Sequence, residues 1–252
     1  MTNEASRSSG QAPTLSASVG DYLKAIWQLG QGEPVATGDI ARELGVTAPS
    51  VTGMLGKLKR DGLIRYQPYR GAELSDRGLA EAMRLLRRHR LLETFLIQDL
   101  GFGWDEVHEE AERMEHVMSE RFTERLAQHL GQPTFDPHGD PIPRRDGSLP
   151  QGPDVPLSDA PEGVRFEVHR VLSQDADVLG YVTGLGVVPG AVLRVTSREP
   201  SGELLHARVE GRETGSAADR TGSGRAARRA GQETHVALSR TLAARILGSL
   251  LP

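Results

Sequence analysis

The spacing of hydrophobic residues changes character three times along the chain. Between residues 19 and 74, short helical patterns alternate with turns and end in a polar, hairpin-like stretch. Residues 76–130 have the pattern of long, charged amphipathic helices. Residues 131–163 are rich in Pro, Gly and Asp, which is typical of a linker, and short strand-like runs follow from residue 164. The pattern predicts a mainly α chain that ends in a small all-β domain.

The predicted strands lie at 164–168, 185–196 and 204–209, and turn signals such as Val188-Pro189-Gly190 separate them. Residues 211–232 are dominated by Gly, Ser, Ala, Thr and Arg and have almost no apolar anchor. We interpret this segment as a flexible, solvated insertion in a loop. The alternative is that its arginines contact DNA phosphates.

Residues 39–47 and the segment after them predict a helix-turn-helix. The first helix ends at Gly45, and Thr37 is its predicted N-cap. Thr47 caps the second helix, and Pro49 lies near its first turn. The second helix has one apolar face, and its other face carries small, hydroxylated or basic side chains: Ser50, Thr52, Gly53, Lys57 and Lys59.

That second helix suits entry into the major groove of DNA. Small residues allow close approach, hydroxyl groups bond phosphates or base edges, and lysines neutralise phosphate. The polar hairpin at residues 65–71 predicts a wing that lies on the DNA backbone. A three-helix packing unit without DNA contact is the alternative. The predicted DNA contacts are Thr47, Pro49, Ser50, Thr52, Lys57, Lys59, Arg65, Tyr69 and Arg70.

Composition narrows the chemistry. The chain has 252 residues, of which 37% are hydrophobic and 25% charged, so most of it has enough apolar surface for a core. Its net charge is −4, so a DNA-binding face has to come from local clustering of basic residues. The absence of cysteine excludes disulfides and thiolate sites, and any metal site uses oxygen and nitrogen ligands. We find neither a signal peptide nor a membrane-spanning stretch and predict a cytoplasmic protein without a membrane partner.

A cluster of acids and histidines predicts a metal site. His108, Glu112, Glu115 and His116 fall on a single face of one helix at about 100° per residue. An apolar stripe runs beside that face, so the cluster is costly to desolvate unless a cation neutralises it. The preceding helix carries a second pair of candidate ligands, His89 and Glu93. The alternative is a charged surface helix without a metal.

The same segment does not match a zinc protease. Glu112 stands where that motif requires its second histidine after His108. The chain also has neither a Gly-rich phosphate loop nor a nucleophile elbow. We therefore predict that the protein is not an enzyme. A metal-dependent hydrolase and a winged-helix regulator that senses an organic ligand are the competing interpretations.

These residues resemble the diphtheria-toxin-repressor-like, metal-dependent regulators of bacteria. The resemblance runs from Gly20-Asp21-Tyr22-Leu23 to the C-terminus, and its most specific parts are residues 88–93 and 107–116. It implies a homodimer that binds a palindromic operator in double-stranded DNA when metal is present. Together with this resemblance, the sequence patterns predict five segments. They are a disordered leader at 1–18, a winged helix-turn-helix at 19–76, a dimerisation and metal-binding domain at 77–140, a linker at 141–163 and an SH3-like domain at 164–252.

The resemblance implies a principal metal site formed by Asp21, Glu112, Glu115 and His116. Iron-responsive members have a methionine and a cysteine at the positions of Asp21 and Glu112, so this chain resembles the manganese-responsive branch. Oxygen and imidazole ligands suit Mn(II). Fe(II) is the alternative ion, and Zn(II), Co(II), Ni(II) or Cd(II) are expected to compete in vitro.

The resemblance also implies a second site formed by Glu93, His138 and Asp175, with Asp136 where close relatives carry a cysteine. His108 matches an ancillary-site ligand of the iron-type members, and His89 either joins the principal site or bridges toward the second. Lys24 stands where a manganese-type member has a Glu ligand, which leaves the number of ions open. The predicted function is metal-dependent regulation, by repression or otherwise, of metal-transport genes. In this hypothesis one ion fixes the angle between the DNA-binding and dimerisation domains.

Overall fold

The computed structural model describes residues 15–30, 32–104, 106–150, 154–173, 175–212 and 234–251. The chain divides into two units, residues 1–85 and 86–252. Most of the predicted leader, and residues 213–232 of the predicted insertion, lie outside the described residues. Among the described helices, none combines the length and the apolar character needed to cross a membrane.

The first unit contains a helix-turn-helix followed by a β-hairpin, as predicted. Its elements are α1 (Ala17–Gly30), α2 (Thr37–Glu43), α3 (Ala48–Arg60), β1 (Ile64–Gln67) and β2 (Gly71–Leu74). The predicted apolar face of α3 is buried through Val51, Leu55 and Leu58. Because this face fixes the rotation of α3, the polar side of the helix is turned to solvent.

The helix caps differ from the prediction by one residue. Ala36 occupies the N-cap position of α2, and Thr37 is the first helical residue, so the prediction that Thr37 caps this helix is wrong. Thr47 occupies the N-cap position of α3 as predicted, but its hydroxyl lies 3.0 Å from Ser50 Oγ instead of capping a backbone N–H. Gly45 ends the first helix with a φ of 64°, which glycine adopts without strain.

The hairpin is antiparallel and is anchored at its base. Arg65 pairs with Glu73, and Gln67 pairs with Gly71. A side chain at Gly71 would place its Cβ 2.6 Å from the Val35 carbonyl oxygen, so this close approach requires glycine. The tip is fully exposed at Tyr69, whose φ is 66°.

The long helix α4 (Asp76–Leu100) contains the boundary between the two units. It is followed by α5 (Val107–Met114), a 3₁₀ turn (Glu115–Val117) and α6 (Glu120–His129). The prediction that a single regular helix carries His108 through His116 is therefore wrong. The backbone tightens after Met114, and a new helix starts at Ser119, whose hydroxyl accepts the N–H of Phe122. The second half of α4 and these helices share a core that includes Leu91, Leu92, Val107, Ala111 and Ala127.

The C-terminal part is a six-stranded antiparallel sheet, which confirms the predicted all-β domain. Its strands are β3 (Val155–Pro156), β4 (Arg165–Val171), β5 (Ala191–Arg198), β6 (Leu204–Arg212), β7 (Thr234–Ser239) and β8 (Ile246–Leu251), in the order β3-β8-β4-β5-β6-β7. Two helices, α7 (Ala176–Leu185) and α8 (Arg240–Ala243), accompany the sheet. Alternate residues of β4, such as Phe166 and Val168, point into its core.

Three predicted segments of this part differ in the structure. The strand predicted to start at residue 185 begins at Ala191, because residues up to Leu185 form α7. The end of the predicted linker forms β3, which pairs with β8, and Leu157 is fully buried in the core. The first two residues of the predicted insertion belong to β6, which runs to Arg212. The predicted turn before β5 is confirmed, since Ala191 N–H donates to the Val188 carbonyl.

Candidate metal centre

Helices α4 and α5 bring His89, Glu93 and His108 together. His89 and Glu93 lie one helical turn apart on α4, and His89 Nε2 is 2.9 Å from Glu93 Oε1. His108 extends from α5, with Nδ1 at 3.1 Å from Glu93 Oε1 and 3.0 Å from His89 Nε2. The side chains of His89 and Glu93 are only 2% and 3% exposed. A carboxylate and two imidazoles thus converge in a buried position.

A second group lies at the end of α5. Glu112, Glu115 and His116 each place a ligand atom within 4.8 Å of the others. Glu115 is completely buried, whereas Glu112 and His116 are half-buried. His89 Nδ1 donates a hydrogen bond of 2.5 Å to Glu115 Oε2, so His89 contacts both groups. Asp21, the fourth predicted member of the principal site, lies half-buried on α1 in the first unit.

A third group shares Glu93 with the first. Glu93, Asp136 and His138 are all buried, and each offers a ligand atom within 4.8 Å of the others. His138 Nδ1 is 3.6 Å from Glu93 Oε2, and its Nε2 donates to the Trp104 carbonyl at 3.0 Å. Asp136 Oδ1 accepts the backbone N–H groups of His138 and Asp140 at 2.9 and 2.8 Å.

These groups combine buried carboxylates with histidines whose pKa values are raised. Burial lowers the pKa of His89, but the charge of Glu93 and hydrogen bonds to Glu115 and Glu93 outweigh burial and raise that pKa to about 10. Burial also opposes ionisation of Glu93, yet His89 and its other histidine partners hold the Glu93 pKa well below its usual range. The His138 pKa is raised to about 9 because contact with Glu93 outweighs burial.

The pKa of Asp136 is shifted in the opposite direction from that of Glu93. Burial, together with the charges of Glu93 and Asp140, raises the pKa of Asp136 to about 8. Arg90 partly offsets this effect, with Nε 3.5 Å from Asp136 Oδ2, and also donates to the Pro141 carbonyl at 2.5 Å. Neither the role of Arg90 nor that of Trp104 was predicted, because both contacts join residues that are distant in the sequence.

Asp175 is not brought to these groups. Its carboxylate accepts the backbone N–H groups of Asp177 and Val178 and caps α7. This N-cap is a sufficient structural reason for an aspartate at that position. Lys24, the departure noted in the sequence, is buried on α1 in the first unit.

The donor set fits a divalent cation. Every residue in the three groups offers a carboxylate oxygen or an imidazole nitrogen, and none carries sulfur. Histidine protons and the Arg90 guanidinium balance the buried acids, and a divalent ion supplies the same positive charge more compactly. His89, Glu93 and Glu115 link the three groups into one continuous chain of donors.

The predicted DNA-binding residues of α3 are exposed: Thr47, Pro49, Ser50, Thr52, Lys57 and Lys59. Four of them also bond within the unit. The Thr47 and Ser50 hydroxyls bond each other, Thr52 Oγ1 donates to the Ala48 carbonyl and Lys59 Nζ donates to the Tyr66 carbonyl, all at 3.0 Å. Lys57 takes part in none of these bonds, which makes it the more accessible of the two lysines.

In the wing, Arg65, Tyr69 and Arg70 are exposed, but Arg65 is already ion-paired. Its guanidinium donates to both oxygens of Glu73, at 2.9 and 3.3 Å. The sequence prediction missed this partner because Glu73 lies on β2, outside the predicted wing at residues 65–71. Arg70 is thus the stronger candidate for a phosphate contact.

The chain matches three family descriptions. Residues 14–72 match "Iron dependent repressor, N-terminal DNA binding domain", and residues 75–144 match "Iron dependent repressor, metal binding and dimerisation domain". Residues 155–215 match the FeoA domain. The chain is 35% identical over 198 residues to the iron-dependent repressor IdeR of Mycobacterium leprae, which covers 73% of this chain and 85% of that protein.

Solved structures with the same fold include metal-bound repressors. A manganese-dependent transcriptional repressor in complex with manganese has a TM-score of 0.77 and 34% identity, and the match covers 92% of this chain and 100% of that one. The repressor ScaR with bound Zn²⁺ has a TM-score of 0.73 and 30% identity, with 92% and 99% coverage.

Proposed function

Since this chain belongs to the diphtheria-toxin-repressor-like family of metal-dependent, DNA-binding transcriptional repressors, we propose that the ion it senses is Mn(II). The observation that carries this proposal is the donor set at the end of α5, where Glu112, Glu115 and His116 offer oxygen and nitrogen ligands within 4.8 Å of one another. Carboxylates and imidazoles suit Mn(II), whereas sulfur ligands favour softer ions.

Fe(II) is the competing ion. The sequence relative in Mycobacterium leprae is described as iron-dependent, while the structural neighbour at TM-score 0.77 is described as manganese-dependent. The choice between them therefore depends on the ligands of this chain. Because the chain has no cysteine, none of its metal sites contains a thiolate.

We propose that Asp21 completes the principal site with Glu112, Glu115 and His116. The basis is the match of Asp21 to the family position where iron-type members have a methionine. A carboxylate from the DNA-binding unit that shares an ion with the second unit would link metal binding to the arrangement of the DNA-binding unit. When bound, the ion supplies positive charge that allows these acids to remain ionised together.

We propose a second site formed by Glu93, His138 and Asp136, with His108 and His89 as its other nitrogen donors. Its support is that all of these residues share hydrogen bonds with Glu93 or lie beside it. We leave Asp175 out of this set, because its carboxylate is used as the N-cap of α7.

We further propose that the protein acts as a homodimer on a palindromic operator, since the family match at residues 75–144 is a dimerisation domain. A two-fold symmetric dimer presents two recognition helices to two half-sites. The first two proposed domains follow the sequence boundaries at residues 19–76 and 77–140. The C-terminal domain starts earlier than the predicted residue 164, because β3 (Val155–Pro156) pairs with β8. We propose that the protein has no enzymatic activity and that it acts in the cytoplasm. We propose metal-transport genes as its targets.

The test is a metal titration coupled to DNA binding. The metal-stripped protein is titrated by calorimetry with Mn(II), with Fe(II) under anaerobic conditions and with Zn(II). Each loaded form is then tested by gel shift on DNA from its own upstream region. We expect Mn(II) to promote DNA binding at lower free concentration than Fe(II). DNA binding of equal strength by stripped and loaded protein would overturn the proposal that the chain senses metal.

A matched variant tests the choice of metal. The double substitution Asp21→Met with Glu112→Cys introduces the two sulfur ligands of the iron-type members. We expect it to lose its preference for Mn(II) and to respond to Fe(II) or Zn(II) instead. The control is Glu109→Gln, an exposed acid of α5 that pairs with Arg113. An unchanged metal preference in the double variant would contradict the assignment of these ligands.

A further inference from the structure

The turn at the tip of the wing carries a tyrosine in a backbone conformation that favours glycine. The Gln67 carbonyl accepts the backbone N–H of Arg70 at 3.1 Å, and Pro68 and Tyr69 are the two central residues of this turn. Proline fixes φ at about −65° in the first central position. Tyr69, in the second central position, has a φ of 66°. These are the features of a type II turn, whose second central residue is usually glycine or asparagine.

Among the described residues, no contact of the Tyr69 side chain compensates for this conformation. A positive φ brings Cβ too close to the following carbonyl oxygen, so bulky residues are rare there. Tyr69 is 108% exposed, and its ring forms no hydrogen bond, ion pair or ring contact with the part of the chain that the structure describes. A costly conformation that gains no internal contact indicates a role in binding a partner.

The hairpin that carries Tyr69 is held firmly beside α3. At its base, Val35 N–H donates to the Ala72 carbonyl at 2.8 Å, and Ala72 N–H donates to the Val35 carbonyl at 2.9 Å. Lys59 on α3 donates to the Tyr66 carbonyl on β1 at 3.0 Å, which ties the helix to the hairpin. A projection that is already ordered loses little conformational entropy when it binds. The exposed face of α3 and the ring of Tyr69 are therefore presented to DNA together.

We propose that Tyr69 enters the minor groove of the operator, next to the major-groove segment that α3 contacts, and discriminates among base pairs that α3 does not reach. Proteins that bind the minor groove frequently insert uncharged, largely apolar side chains into it. The amino group of guanine projects into this groove, so a ring placed there favours A·T pairs. The inference rests on the DNA-binding function of the chain and is independent of which metal it senses.

The chemistry of the tip favours the groove over the DNA backbone as the partner of Tyr69. A neutral phenol offers phosphate a single hydrogen-bond donor, whereas the guanidinium of a neighbouring arginine offers it a charged fork. Arg70 is exposed directly after Tyr69, so the tip already has a residue for phosphate contact. The narrow minor groove of A·T-rich DNA also has an enhanced negative potential, which attracts a positive side chain. Arg70 would thus bind at the edge of the groove that the ring of Tyr69 enters.

The first experiment measures what the ring contributes to DNA binding. Mn(II)-loaded, full-length wild type selects a duplex from a random-sequence library, and fluorescence anisotropy then measures the affinity of each variant for that duplex. Tyr69→Ala should weaken binding about tenfold, the size expected for loss of one contact at the base level. The slope of log K against log salt should not change, because the side chain is neutral.

Two matched variants accompany this measurement. Tyr69→Phe keeps the ring and should bind the selected duplex as the wild type does. Tyr181→Ala removes an exposed tyrosine of α7 and should leave DNA binding unchanged.

The second experiment alters the minor groove alone. Replacing adenine with diaminopurine adds an amino group to the minor-groove edge of the pair and leaves its major-groove edge unchanged. The replacement is made at one base pair at a time along the selected duplex. Wild type should lose affinity when the replaced pairs flank the segment that α3 contacts. Tyr69→Ala should be insensitive to replacement at those same pairs.

A stability measurement tests whether the tyrosine is strained. Tyr69→Asn and Tyr69→Gly suit the positive φ, and each should raise the Tm by roughly 2 °C. Both variants lack the ring, so they should bind DNA as weakly as Tyr69→Ala. Tyr69→Ala keeps the strained conformation and should not gain stability. Stability and DNA affinity should therefore change in opposite directions only in the asparagine and glycine variants.

The other outcomes overturn the proposal. If Tyr69→Ala binds the selected duplex as tightly as the wild type, the ring serves a different partner, such as another protein. If Tyr69→Ala binds weakly but diaminopurine affects it and the wild type alike, the ring contacts the DNA backbone instead. If the asparagine and glycine variants are no more stable than the wild type, Tyr69 is not strained and the structural basis fails. If the loaded wild type selects no sequence and binds no DNA, the proposed function fails together with this inference.

Discussion

His89 Nδ1 donates a hydrogen bond of 2.5 Å to Glu115 Oε2, and both side chains are buried. This bond joins α4 to the 3₁₀ turn that follows α5. It also joins the two groups of candidate ligands, because the other nitrogen of His89 faces Glu93 at 2.9 Å. A single imidazole therefore contacts both groups.

Metal binding should release protons. With its pKa raised to about 10, His89 is protonated at neutral pH, and a histidine must lose a proton to become a ligand. The affinity for Mn(II) should therefore rise as pH increases toward that value. Calorimetry in two buffers with different ionisation enthalpies should show release of about one proton or more per subunit.

The matched comparison for proton release is His89→Gln against His129→Gln. His129 is an exposed histidine that faces Asp99, so its substitution should leave the proton count unchanged. His89→Gln should lower the count. Heats of binding that are identical in the two buffers for the wild type would contradict the assignment of His89 as a protonated precursor of a ligand.

His116→Ala should remove metal-dependent DNA binding and leave the fold intact. His116 is half-buried, and its substitution by alanine removes one nitrogen donor. Glu115, which lies 3.6 Å from His116, keeps its hydrogen bond to His89. We expect affinity for Mn(II) to fall by roughly 100-fold or more, since even indirect partners of metal ligands contribute 10–100-fold. Calorimetry and gel shift measure the loss, and circular dichroism checks the fold. A variant that still binds DNA only with Mn(II) would exclude His116 from the site.

Arg70→Ala should weaken binding to every DNA sequence. Arg70 is exposed at the end of the wing tip, so we expect it to contact phosphate and its loss to reduce the salt slope by about 1. Arg65→Ala should have a smaller effect, because Glu73 already neutralises Arg65. Anisotropy titrations over a range of salt measure both, with Arg84→Ala on α4 as the control. Loss of preference at one base pair, with an unchanged salt slope, would instead indicate a base contact.

The sequence predicted the parts of the fold that are encoded locally. The period of Val51, Leu55 and Leu58 determined which face of α3 is buried. The acid and histidine spacing identified the side chains that converge, although Glu115 and His116 lie in a 3₁₀ turn and not on the predicted helix. The tightening depends on where α6 begins, which a helical period alone does not reveal.

What the sequence could not predict depends on partners that are distant in the chain. Asp175 was a predicted ligand, yet its local bonds make it a helix cap, because α7 itself was not predicted. Arg65 looked available in its own segment, but the hairpin register sets Glu73 opposite it. The predicted linker contains the strand β3 because β8, almost a hundred residues later, offers it an edge.

Gly139→Ala should destabilise the protein and disturb His138. Gly139 has a φ of 85°, and an added Cβ would lie 1.8 Å from the His169 carbonyl oxygen. The backbone next to His138 must shift, so we expect a loss of about 2 kcal/mol or more in the free energy of unfolding. Urea denaturation measures this loss. The control Gly131→Ala has a φ of 76° but meets nothing within 4 Å, and it should cost only the strain of that φ. Equal effects of the two substitutions would show that close packing at Gly139 is unimportant.

Glu210 should stabilise the folded protein only above acidic pH. The Arg194 hydrogen bond, followed by those of Arg208 and Arg165, outweighs burial and lowers the pKa of Glu210 from 4.5 to about 2. A carboxyl group with a lowered folded-state pKa contributes its full stabilisation above the unfolded-state value, and that contribution is lost as pH falls toward the folded-state value. Solvent screens this surface cluster, so we expect it to contribute only about 1 kcal/mol.

The measurement compares the free energy of unfolding of wild type and Glu210→Gln across this pH range. The wild type should be more stable at neutral pH, and the difference should shrink as pH falls below 4.5 and also as salt increases. A Glu210→Gln protein that is as stable as the wild type at neutral pH would show that this carboxylate does not stabilise the sheet through Arg165, Arg194 and Arg208.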